Sequence, residues 1–305
     1  MTARERVERT LPSLSISKRG RRSVIAWLAL VPTLTILILY RFVPLGWNFV
    51  LTFQEMNYTG ETSFVGLDNY RRLATDPVFV EALVNNVVLL GTIPVGITVG
   101  LGLALLLNKD FFASNAFRSL FFLPYIVMMV AVAVIWTFML KTDNGVVNYL
   151  LVRTGLVSEG ISWLSSGTWA LVSVFLVHVW KTTGFYMVII LAGLQTIPTQ
   201  LYEVADIDGA SRIQGFLYIT LPLLKPTLGV CVLVGMIASF RLFDLVFVLT
   251  NGGPAHESEI LLTWLYKQAF SFGNFGYAAV LTIVLFALML AIVSIGWTLQ
   301  RRAVQ

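Results

Sequence analysis

Charged residues are scarce in this chain, and so are the groups from which most active sites are built. Asp, Glu, Lys and Arg make up 12% of its 305 residues, against roughly 25% in an ordinary soluble domain. The single cysteine, Cys231, lies in an apolar run, so no internal disulfide forms and no cysteine spacing holds a metal. Two histidines, His178 and His256, are far apart in sequence and give no metal pair at helical spacing. Neither a G-x-x-x-x-G-K-S/T phosphate loop nor a G-x-S-x-G nucleophile elbow occurs. A membrane-embedded enzyme, the rival from another functional class, would need a convergent acid–base or metal set.

What is present is apolar. Hydrophobic residues make up 57% of the chain and mean hydropathy is +0.81, which points to a polytopic membrane protein. Six runs approach the roughly 20 apolar residues that cross a bilayer: 24–45, 86–107, 119–140, 168–194, 226–250 and 276–299. The fold class is therefore an all-α membrane protein with six transmembrane helices. The first run is interrupted by Pro32 and Pro44, and Arg41 snorkels outward. A basic segment precedes it, as in a signal peptide, but no small-residue cleavage site follows, so it is read as retained.

Orientation follows from lysine and arginine. With the N-terminus inside, thirteen basic residues fall on the cytoplasmic side: Arg4, Arg6, Arg9, Lys18, Arg19, Arg21, Arg22, Lys109, Arg118, Arg212, Lys225, Arg301 and Arg302. Five fall outside: Arg71, Arg72, Lys141, Arg153 and Lys267. This bias puts both termini in the cytoplasm. The net charge of +5 thus reflects topology and not nucleic-acid binding. The expected organisation is a basic cytoplasmic tail over 1–23, one membrane domain over 24–299 and a short cytoplasmic tail over 300–305. The basic tail suits anionic lipid; a specific partner is the alternative. No repeat, low-complexity tract or linker divides the chain. In the outer segment 46–85, Asp76 is placed to cap a helix with Pro77 at its first position, leading into span two.

The second inside loop, 196–222, is unusual. Its stretch LYEVADIDGASRIQGFLYITLP (201–222) carries Glu203, Asp206 and Asp208 against one Arg212. Pro198 ends span four and Thr199 is placed to cap a short helix, whose dipole Glu203 complements. Gly209 breaks that helix, and Ser211 with Gln214 matches a capping box that starts a second. Pro222 and Pro226 re-aim the chain into span five. An anionic leaflet would repel such a bracket, so its apolar residues suit a docked protein; the alternative is a solvated loop packed on its own spans.

The loop carries a recognisable pattern. Glu203-Val204-Ala205, Gly209, Ile219 and Leu221-Pro222 fit Glu-Ala-Ala, three residues, Gly, nine residues, Ile, one residue, Leu-Pro, departing only at Val204. With WKTTGFYMVIILAGLQTIP (180–198), FDLVFVLTNGGP (243–254) and the later YKQAF, the chain resembles the inner-membrane permease subunits of bacterial ATP-binding-cassette importers. Within these it is similar to the carbohydrate-uptake branch of maltose-type and glycerol-phosphate-type permeases.

That resemblance implies an importer-type permease fold whose loop is a coupling helix seated in a cytoplasmic ATPase. Glu203, Val204, Ala205, Asp208, Gly209 and Ala210 are then the coupling residues. The implied partners are a second homologous permease subunit, two copies of the ATPase, an extracytoplasmic solute-binding protein and the lipid bilayer. ATP and Mg would bind on the ATPase, and this chain would hold no cofactor and perform no catalysis. The implied location is the bacterial cytoplasmic (inner) membrane.

The resemblance also puts forward a substrate path in span four: Trp180, Lys181, Thr182, Phe185 and Tyr186, with Ser239 and Leu242 in span five. Aromatic faces with hydroxyls suit a sugar, but packing between helices explains Trp180 and Tyr186 equally, and His178 reads better as an interhelical hydrogen-bonder. Arg241 and Asp244 stand three residues apart in span five, where they either line the cavity or neutralise each other as a structural pair. Both clusters are expected near the membrane midplane. Gly252, Gly253 and Pro254 suit an outer turn, with contact to a binding protein as the second reading. The expected function is a permease half that passes a sugar or related polyol. The alternatives are an anionic solute such as a glycerol phosphate or phosphodiester, the membrane-embedded enzyme, and a passive channel or scaffold.

Overall fold

The computed structural model describes residues 18–56, 60–109 and 112–304. Most of the basic tail therefore lies outside the described residues. The chain divides into two compact units, to Leu51 and from Thr52 onward, where the sequence predicts one membrane domain. The first unit is a helix, α1 (Lys18–Leu37), continued by a wide turn over Ile38–Phe42 into α2 (Val43–Leu51). The wide turn comes directly before Pro44, whose missing N–H disturbs the helical ladder. No described side chain of its span Trp27–Leu51 is buried.

The second unit opens with a hairpin, β1 (Gln54–Met56) and β2 (Thr62–Phe64), paired antiparallel with Glu55 opposite Ser63. After α3 (Asp68–Thr75), Asp76 caps α4 (Pro77–Leu90) as expected, its Oδ1 accepting from Val78 N at 2.9 Å. The same carboxylate accepts from Trp264 Nε1 and Tyr277 OH, so it also ties the outer ends of three segments together. Beyond Gly91 the chain continues as α5 (Thr92–Leu107), and together α4 and α5 make a 31-residue span.

Span three is not one helix. α6 (Ser114–Ile126) and α7 (Met129–Met139) meet at 96°, because Val127 and Met128 are extended. A short outer helix, α8 (Val146–Arg153), precedes α9 (Gly167–Gln195), the central element of the bundle. Then come α10 (Gln200–Ile207) and α11 (Arg212–Gly215); a wide turn over Phe216–Thr220 leads into α12 (Leu221–Ser239). Span five also stops early: α12 ends at Ser239, and α13 (Phe243–Leu249) is a separate helix. After α14 (Leu261–Tyr266) and a wide turn over Lys267–Ser271 comes α15 (Phe275–Val304). Among the described residues five helices can cross a membrane by length and composition, or six when the bent pair counts as one span.

The buried apolar residues among those described fall into four clusters, and α9 contributes to the two largest. Its outer half, with Val174 and Val177, packs against Leu89 of α4, Val132 and Ala133 of α7 and Leu245 and Val246 of α13. Its inner half, with Met187, Ile190 and Leu191, packs against Ala104 and Leu107 of α5 and Leu224 and Cys231 of α12. Small residues allow the close approach that membrane helices need. A methyl placed on Gly184 of α9 would fall 1.9 Å from the carbonyl oxygen of Phe121 in α6.

Candidate coupling and translocation sites

The bracket over 199–222 is built by helix ends. α10 closes with Ala210 N donating to Ala205 O at 2.9 Å and Gly209 N to Asp206 O at 3.2 Å. Gly209 stands at φ +77°, the left-handed conformation this C-terminal motif requires. The capping box then forms as expected: Ser211 N donates to Gln214 Oε1 at 2.7 Å and Gln214 N to Ser211 Oγ at 3.3 Å. Thr199 stands at the start of α10 but makes no side-chain cap. Tyr202 OH and Thr220 Oγ1, 2.8 Å apart, fasten α10 to the base of span five.

The outer face of the bracket is apolar and acidic at once. Glu203, Val204, Asp206 and Asp208 are exposed, Ala205 and Ala210 partly so, and Ile207, Ile213 and Tyr218 are 85%, 71% and 77% exposed. Behind it lies a groove of about 830 Å³ lined by Lys109, Gln195, Tyr202, Asp206 and Arg212 among others. A two-helix segment closed by two capping motifs, with bulky apolar side chains exposed, has the form of a docking element.

Along α9 the structure separates residues that the sequence groups together. Trp180 is half-exposed and meets Trp136 edge-on at 5.4 Å, and it borders an apolar groove of about 690 Å³ with Val99, Leu123 and Leu176. Phe185 is partly buried and stacked on Tyr125 at 4.4 Å. Tyr186 is 2% exposed. Methyls placed on Gly96 and Gly235 would meet its ring carbon at 2.9 Å and its hydroxyl at 2.5 Å, so it is wedged between α5 and α12. Thr182 is buried and donates to His178 O at 2.8 Å. Lys181 is buried as well, with Nζ donating to Pro124 O, Tyr125 O and Val127 O at 2.9, 3.2 and 2.5 Å. His178 Nδ1 lies 3.0 Å from Thr92 Oγ1, the interhelical bond expected of it.

The span-five expectations need correction. Arg241 and Asp244 do not share a helical face, because α12 has ended and α13 has just begun. Each charge complements the end of its own helix, a cation beyond a C-terminus and an acid in a first turn. Both are exposed and no ion pair joins them among the described residues. Ser239 and Leu242 are buried at the break, Ser239 Oγ donating to Met236 O at 3.0 Å.

Two constellations escaped the sequence reading. On α4, Asn85 Nδ2 donates to Glu257 O and Glu259 O at 3.0 and 2.9 Å, while Asn86 Oδ1 accepts from Leu261 N at 2.9 Å. Paired amides in an otherwise apolar VNNVV stretch were the available signal. In the outer loop itself, buried Glu259 accepts from Lys267 Nζ at 2.6 Å, and its Oε2 lies 2.8 Å from His256 Nδ1. Gly252 lies against that carboxylate at φ +73°, in the outer turn that the Gly-Gly-Pro sequence predicts.

Comparison with known proteins places the chain in a family. Residues 94–304 match the family described as binding-protein-dependent transport system inner membrane component. The chain is 36% identical to the sulfoquinovosyl glycerol transport system permease protein SmoG of Agrobacterium fabrum, over 89% of each. It is 35% identical to the lactose transport system permease protein LacF of Rhizobium radiobacter, covering 88% of this chain and 91% of that one. Against the trehalose/maltose transport system permease protein MalF of Thermococcus litoralis the identity is 32%, covering 92% and 94%. Among solved structures, a bacterial ABC transporter involved in alginate import superposes with a TM-score of 0.80 at 24% identity, covering 93% of this chain and 98% of that one. The chain belongs to the family of binding-protein-dependent transport system inner membrane components, and is a transport subunit of an importer.

Proposed function

We propose that this permease forms half of the pathway for a sugar or a related polyol, and that ATP hydrolysis on a partner drives the passage. The observation that carries the coupling half is the bracket with its exposed Glu203, Val204, Ile207 and Asp208. The substrate class is supported by relatives named for lactose, trehalose/maltose and sulfoquinovosyl glycerol. A six-span chain provides one wall of a cavity, so the assembly contains a second, related permease, two copies of an ATPase and an extracytoplasmic binding protein. ATP and Mg bind on the ATPase, and both termini face the cytoplasm, as the basic-residue bias supports.

In this reading the solute meets the exposed groups Trp180, Arg241 and Asp244 and the edge of Phe185. Buried Thr182, Tyr186, Ser239 and Leu242 form the wall that holds them. The guanidinium of Arg241, in no ion pair among the described residues, favours a second reading, in which the sugar carries an acidic group. Uptake into proteoliposomes tests both. ATP-dependent accumulation of a labelled disaccharide or glycoside is expected, whereas uptake without ATP would make the chain a channel. Competition by an anionic glycoside, lost in Arg241→Gln, would select the second reading.

A further inference from the structure

The bend in span three creates a problem that a bilayer does not solve. α6 ends at Ile126, Val127 and Met128 are extended at ψ 138°, and α7 leaves at 96°. Carbonyls in the last turn of a helix have no amide ahead of them, and hydrocarbon supplies no water to take its place. Here the missing donors come from another helix. The three N–H bonds of one ammonium, that of Lys181, meet two of these carbonyls, on Pro124 and Tyr125, and the carbonyl of the extended Val127 just beyond them.

The surroundings fit that role. No carboxylate pairs with Lys181 among the described residues, so its countercharge is the negative end of α6. The Tyr125 ring lies under the ammonium at 6.0 Å and stacks on Phe185, one turn farther along α9. Gly184 brings the α9 backbone against that of α6. The lysine thus closes a joint that is already packed on both sides.

We propose that Lys181 is a positioning residue for transport: its ammonium fastens the bend of span three to α9 and sets the angle between α6 and α7, without touching the solute. The proposal rests on the importer reading, and its test separates the two. The assembled importer is prepared in nanodiscs in a Cys231→Ser background, with nitroxides at Leu123→Cys and Ile135→Cys, both exposed positions on the two arms. Lys181→Met removes the donors, Lys181→Gln keeps two of them without charge, and Lys181→Arg keeps both charge and donors.

The distance distribution between labels should broaden in the Met and Gln variants and return towards wild type in Arg. Maximal uptake should fall about tenfold in Lys181→Met, as loss of one or more buried hydrogen bonds implies. The half-saturating concentration of loaded binding protein should stay the same. If Lys181→Met fails to assemble, the Gln complex takes the same measurements. Unchanged distances in both variants would overturn the proposal, as would normal distances with a raised half-saturation, which marks a solute contact. A wild-type complex with no ATP-dependent uptake, but with distances that respond to Lys181, would sink the importer reading and leave the clasp standing.

Discussion

Replacing Tyr186 by alanine should damage assembly before it damages transport. The ring is 2% exposed and rests on Gly96 of α5 and Gly235 of α12. Neither glycine has a side chain that could move into the space. The void is therefore close to the volume lost, roughly 100 Å³, and at about 24 cal/mol per Å³ it costs about 2.4 kcal/mol. No large solvent-transfer contribution is added, since lipid is as apolar as the core. At about 2–4 °C per kcal/mol for a chain of this size, the midpoint should drop by about 5–10 °C. The assay is thermal loss of the monodisperse complex in detergent, with uptake per intact complex measured at a temperature well below both midpoints. Tyr186→Phe, which keeps the volume, should lose less than about 1.5 kcal/mol. Wild-type thermal stability in Tyr186→Ala combined with abolished uptake would refute the packing argument and return Tyr186 to the solute path.

Glu203→Lys should leave the protein inserted but uncouple it, because a cation replaces an acid on the exposed face of α10; co-purification of a full complement of ATPase with normal uptake would contradict this. Asn85→Ala leaves the carbonyls of Glu257 and Glu259 without their donor and should destabilise the outer loop by about 2 kcal/mol. Hydrogen exchange at residues 258–261 reads that loss, and unchanged protection would show that the amide is dispensable. Cysteines at Ala3→Cys or Ala303→Cys, in a Cys231→Ser background, should resist an impermeant reagent in intact cells; efficient labelling would reverse the topology.

The helix ends of the bracket over 199–215 were legible almost residue by residue, because their signals are local. Gly209 must supply a positive φ, and Ser211 and Gln214 must stand three apart to satisfy each other's backbone. Asp76 before Pro77 is local in the same sense, although its second role as acceptor for Trp264 and Tyr277 needs partners about 190 and 200 positions away. Thr199 shows the limit of such rules, since a good capping residue at the right position still leaves its hydroxyl unused.

The breaks in spans three and five were illegible for a physical reason. Hydropathy reports only whether a segment prefers lipid, and FFLPYIVMMVAVAVIW is as apolar across Val127 and Met128 as on either side. Proline does not mark the breaks either. Pro124 lies beside one, yet Pro32 and Pro226 sit inside helices that continue. What distinguishes the broken span is a demand placed on a different helix: the free carbonyls need a donor, and the donor must be affordable in the membrane only because those carbonyls are there. The resemblance and the aromatic and hydroxyl neighbours of Lys181 put it forward as a solute ligand in the sequence, where the acceptors on α6 are not visible. The same residue reads as a structural fastener once the backbone of α6 is placed against α9. A buried cation in a membrane helix without a carboxylate partner is thus as much a pointer to a neighbouring helix that stops short as to a transported anion, and the two are told apart by counting acceptors within reach of its amine.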